Sequence, residues 1–169
     1  QYIVDNLFIG NKLSTAQLVT SDGVRIDLRN IRSPIVVFCS YGDNITPPPQ
    51  ALGWITDLYR NDLDVVGHDQ TIVYATHDSI GHLGIFVSGS VGRKEHQEFA
   101  ANIDIIDVLP AGIHHMQIDE HHDDAQEGEP ASDAYLTRIR RSNIDEIREI
   151  VRPDPESDRR FAAAARISE

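Results

Sequence analysis

Two ionisable residues, Asp43 and His82, each follow a short apolar run, IVVFCSYGD at 35–43 and TIVYATHDSIGH at 71–82. A carboxylate that accepts the Nδ1 proton of an imidazole fixes the ring's tautomer and stabilises the imidazolium. Nε2 is then free to act as general base toward a Ser or Cys nucleophile. Gly42 and Gly81 allow the tight turns that bring backbone close to such a pair, and Gly84 leaves room beside the ring. A plainer reading stands beside this one, in which Asp43 caps the proline-bounded helix that follows it and His82 is a turn residue. His77 also follows the second run and competes with His82, while its neighbour Asp78 serves a turn.

Other reactive side chains have simpler explanations. Cys39 lies inside the first apolar run, where a thiol is core filling. Ser90, in SGSVG, has Ser88 where a nucleophile elbow needs its first glycine, and it comes after the histidine. His114, His115, His121 and His122, with Asp119, Glu120, Asp123 and Asp124, carry many metal-capable atoms. Adjacent residues on a strand point to opposite sides, however, and no HExxH-like helical spacing occurs, so a solvated acidic loop is expected and no metal or cofactor site. Trp54 sits at a core position of an amphipathic helix.

The elements that must position Asp43 and His82 follow from pattern. IVVFCSY is a continuous apolar run of the kind expected for a strand buried on both faces. PQALGWITDLYRN places Leu52, Ile55, Leu58 and Tyr59 at three- and four-residue spacing, which predicts a helix. TIVYATH is a second strand, and the order strand, helix, strand points to a βαβ unit with parallel strands. If so, Asp43 and His82 both lie past the carboxyl ends of neighbouring strands, where α/β sheets gather their chemistry. Before this unit, residues 1–13 suggest a short helix or connector, and Ser21-Asp22-Gly23 suggests a small hairpin within 14–33. After Arg93, GRKEHQEFAANIDIIDVLP reads as a polar helix and a short apolar segment. IHHMQIDE and AYLTRIRR, separated by the polar loop HHDDAQEGEPASD, are expected to pair as an antiparallel hairpin outside the main sheet. NIDEIREIVRPDPESDRRFAAAARISE gives a short helix, a Pro-Asp-Pro break and a second helical start.

Composition limits the function classes. The 169 residues suit one ordinary domain, 40% are hydrophobic, and the formal net charge of -12 speaks against broad nucleic-acid binding. No apolar run is long enough for a spanning helix and no signal segment opens the chain, so a soluble, cytoplasmic protein is expected. A single cysteine excludes an internal disulfide. Gln1 at the start and Glu169 in mid-pattern suggest a piece of a longer protein.

GNKLSTAQLVTSDGVRIDLRNIRSPIVVFCSYGDNITPP, followed by SIGHLG, resembles the carboxyl-terminal part of poly(3-hydroxyalkanoate) synthases and their uncharacterised relatives. The shared elements are GNKL, Val24 to Leu28 with Ile31 and Pro34, Asp43-x-Ile45-x-Pro47, and Gly81-His82 with Gly84. The resemblance covers about residues 2–87. It implies an α/β-hydrolase fold, with 1–92 as the carboxyl-terminal portion of its catalytic domain and 93–169 as an accessory α+β extension. By position it implies that Asp43 is the catalytic aspartate and His82 the general base. The nucleophile would come from residues outside this chain, so the chain alone should be inactive. The implied substrate is an acyl thioester of coenzyme A, or a plain ester. Arg138, Arg140 and Arg141 offer charge for its phosphates, although alternation spreads them over different faces. Asn44 replaces the histidine, and Pro48 the tryptophan, usual in the synthases. The resemblance therefore carries acyl transfer or hydrolysis more firmly than polymerisation. A different class of function is an interaction module that keeps the hydrolase scaffold and self-associates or binds a protein partner or a polyester granule.

Overall fold

β-Branched and aromatic residues dominate the first two of the four segments that become strands, as a pleated, buried surface favours. In the computed structural model, which describes residues 2–8, 10–78, 81, 99–121 and 134–152, the four are β1 (Ile35–Ser40), β2 (Thr71–His77), β3 (Gly112–His121) and β4 (Ala134–Arg141). They form one mixed sheet in the order β1-β2-β3-β4. β1 and β2 are parallel, as are β2 and β3, whereas β4 runs antiparallel to β3. The protein is thus of the α/β class.

The helix expected after the proline run is α1 (Pro48–Leu58). Pro48 suits its first turn because the missing N–H would have no intrahelical partner there. Leu52, Ile55 and Leu58 are buried, as their spacing requires, and the helix ends where Tyr59 turns extended. A second helix, α2 (Asp62–Gly67), follows at once. It is missing from the expectations, although Asn61 is its cap, accepting from the Asp64 backbone N–H at 3.0 Å. Two further α-helices among the described residues are α3 (Ile103–Asp107) and α4 (Ile144–Ile150).

Register assigns the two faces of the sheet. Val37, Tyr74, His115 and Arg140 stand abreast on one face, and Val36, Val73, His114 and Arg141 on the other. The first face packs Cys39, Ile72, Tyr74 and Ile113 against side chains of α1, α2 and α4, including Leu52, Ile55, Val65, Ile144 and Ile147. The second packs Val73, Ala75 and Met116 against Ile106 of α3, with Phe38 and Phe99 edge to face at 6.0 Å. Gln70 fastens the entry to β2: its buried amide donates to the Leu28 carbonyl at 3.0 Å and accepts from the Tyr59 hydroxyl.

The expected antiparallel pair exists as β3 and β4, but it is not outside the main sheet. Thr71–Tyr74 of β2 matches Gly112–His115 of β3 in continuous parallel register. Isoleucine and buried methionine on both sides of β3 supply apolar surface that a free hairpin would leave exposed. The small hairpin at 14–33 reduces to one bridge, Val19 to Arg25, with Gly23 at φ 85° in its turn. At the amino end, a single π-helical turn occupies Val4–Phe8. The acidic loop after His121, most of the polar helix after Arg93 and the segment after Arg152 lie outside the described residues.

Candidate functional site

β1 stops where a tight turn takes over. The Asp43 N–H donates to the Ser40 carbonyl at 3.1 Å, and the Gly42 N–H donates to the Ser40 hydroxyl, also at 3.1 Å. Beside it, the Tyr41 N–H donates to the His77 carbonyl at 2.7 Å, so the ends of β1 and β2 stay joined past the ladder.

This turn carries Asp43 into the protein, where the residue is 1% exposed. A carboxylate so buried must be hydrogen-bonded. One oxygen accepts from the backbone N–H groups of Ile45 and Thr46 at 2.8 and 2.9 Å, and the other accepts from the Thr46 hydroxyl at 2.8 Å. The donors precede α1, and α1 itself has Pro47 at its cap position with no side-chain capping bond. Asp43 therefore does not cap the helix, which was the plainer reading of its role. Instead it sits at the carboxyl rim of two parallel strands, oriented by its own loop.

His82 lies outside the described residues, as do Gly84 and Ser90. The described residue next to it is Gly81, where a Cβ would stand 3.9 Å from the Gly42 carbonyl oxygen. The residues preceding His82 and Asp43 are thus close neighbours. The competing His77 is half-buried at the last position of β2, opposite Ser40.

Cys39 is 1% exposed, its Sγ is 3.7 Å from the Ala75 carbonyl, and burial pushes its thiol up to about 11. A thiol held protonated in the core is no nucleophile. Trp54 is partly buried against the same core. His114 and His115 fall on opposite faces, as strand alternation requires. Pro110 can only accept through its carbonyl, so His114 Nε2, 2.9 Å away, carries the proton of that bond. Among the described residues, no group of three or more His, Cys, Asp or Glu side chains could hold a metal ion.

The sequence gives little warning of a second polar cluster on the first face. The Tyr74 and His115 rings stack at 4.6 Å and 10°. Arg140 can only donate, so His115 Nδ1, 3.2 Å from it, must be an acceptor and the ring proton must lie on Nε2. Burial acts in the same direction, lowering the His115 pKa. Ser142 donates to Glu146 at 3.1 Å, which obliges the Tyr74 hydroxyl, 3.0 Å away, to donate to Ser142. Arg140 closes the circuit on Glu146 at 2.8 Å. Each residue type is ordinary alone; only the register brings them together.

The model of the protein family described as "Protein of unknown function (DUF3141)" matches residues 1–169. The chain belongs to this DUF3141 family. An "Uncharacterized protein in ackA 5'region" from Rhizobium meliloti is 55% identical over 169 residues. That match takes in 100% of this chain and 23% of the relative, so the chain spans about a quarter of the length of the curated relative it matches. No solved structure matches the DUF3141 chain.

Proposed function

We propose that Asp43 and His82 are the acid and general base of an acyl-transferring or hydrolysing site of α/β-hydrolase type, as in the poly(3-hydroxyalkanoate) synthase relatives that the sequence resembles. The nucleophile would be a Cys or Ser from another part of the full-length protein. The observation that carries this reading is the placement of Asp43. Its carboxylate is buried at the carboxyl rim of parallel β1 and β2, fixed by three local donors, with Gly81 beside Gly42. Such a group can orient an imidazole without itself moving.

In this scheme His82 takes the proton of the nucleophile as it attacks the acyl carbonyl. The proton then goes to the leaving thiol or alcohol, and water or a hydroxyl releases the acyl group. The substrates are coenzyme A thioesters or simple esters, and the setting is cytoplasmic.

The test uses the full-length protein with p-nitrophenyl butanoate and butanoyl-coenzyme A. Asp43→Asn and His82→Gln should each lower turnover by about 10³- to 10⁴-fold. Asp43→Asn can keep the loop's acceptor, so its loss should not come from unfolding. If the parent protein releases neither nitrophenol nor thiol, or both variants match it, the catalytic reading falls. An interaction module on the same scaffold, binding a protein or a polyester granule, then takes its place.

A further inference from the structure

β1 is built like an interior strand but stands at an edge. Among the described residues it pairs with β2 alone. Ile35–Ser40, IVVFCS, contains no charge and no proline, the devices that normally protect an edge from pairing. Its apolar residues fall on both faces, the pattern of a strand covered on both sides of the sheet, as the strands inside parallel sheets are. Val36 is nevertheless 42% exposed.

Beside this edge, on the second face, an open apolar groove of about 460 Å³ runs between β1 and α3. Its walls include Pro34, Val36, Phe38, Phe99, Ile103 and Ile106. Ile103 is 56% exposed although its own helix packs Ile106 into the core. An edge that has no second strand partner among the described residues, bordered by apolar side chains, suits a β-strand, which supplies main-chain partners for β1 and every second side chain for the groove.

We propose that this edge and groove are occupied by an additional β-strand from the part of the full-length protein outside these 169 residues, extending the sheet beyond β1. The size of the relative argues for this source. The R. meliloti protein aligns with the whole chain through only 23% of its length, leaving most of its polypeptide to supply such a strand. The inference does not depend on Asp43 or His82.

The full-length protein with a benzoylphenylalanine photo-crosslinker at position 36, and separately at position 103, tests it. Heavy- and light-isotope molecules are mixed before irradiation, and crosslinked peptides are identified by mass spectrometry. The expected result is a light-light or heavy-heavy link from both positions to one segment outside residues 1–169. Links to residues 82–98 of the same chain, links between heavy and light molecules, or no link at all would overturn the proposal. The two positions lie on different elements, so failure of one variant to fold leaves the other to decide.

Discussion

Asp43 joins a structural task to a chemical one, and its substitutions should separate them. Asp43→Ala strips the acceptor from two backbone N–H groups and a hydroxyl in a buried turn. Unpaired buried donors cost about 1–3 kcal/mol, so urea denaturation should show a loss of that size. Asp43→Asn keeps an acceptor oxygen for the two N–H groups, and its amide can donate to Thr46, so it should lose much less. Equal losses in the two variants would mean that charge holds the turn. That Asp43 lies at a strand end was legible from Gly42 and the prolines beyond it. That its carboxylate binds Ile45 and Thr46 instead of capping α1 was not, because Asp before a proline-bounded helix fits either arrangement.

At the scale of elements, burial sorts the apolar residues into those that matter and those that do not. Ile55 is 0% exposed at the contact of α1 with the sheet, while Leu63 of α2 is 80% exposed. Ile55→Ala should cost about 2–5 kcal/mol, and Leu63→Ala should change stability by no more than about 0.5 kcal/mol; matching losses would contradict the packing described. The start of β3 gives a backbone test. Gly112 has φ 134°, a region that side chains disfavour, and a Cβ there would collide with the Arg141 guanidinium. Arg141 can swing aside, but the backbone cannot, and Gly112→Ala should cost roughly 1–3 kcal/mol in thermal or urea unfolding. An unchanged midpoint would argue against this conformation. Strands β1 and β2 and helix α1 were legible because each carries a full period of apolar residues. α2 was hidden by its short length and three acidic or amide residues. The place of β3 was hidden because parallel pairing with β2 has no local signature; only the antiparallel partner β4 follows nearby in sequence.

For the molecule as a whole, buried His114 and half-buried His115 shape the response to acid. Burial lowers the pKa of both His114 and His115 from the ordinary 6.5. The unfolded chain therefore takes up protons near pH 6.5 while the folded chain still resists them. Their contribution to stability is complete above that pH and declines as pH falls through the lower folded values. Glu146, lowered first by its hydrogen bond from Arg140, and Asp27, lowered first by that from Arg29, act in a more acid window below their ordinary values of 4.5 and 3.8. Both belong to partly exposed pairs, so solvent screening keeps that second contribution small. Urea midpoints should fall between pH 7.5 and about 5, and the fall should flatten in a His114→Gln, His115→Gln double variant. A midpoint independent of pH across that range would show that the two rings titrate alike in both states. The mixed sheet also sets an order of assembly. β3 and β4 are separated by 12 residues of chain, whereas Ile35 lies 37 positions from its partner Ile72, and Ile72 lies 41 from its partner Ile113. Because closing a longer loop costs more chain entropy before any contact offsets it, the β3–β4 ribbon should form first. The two parallel pairings, β1 with β2 and β2 with β3, would then close later, and the loop that holds Asp43 with them.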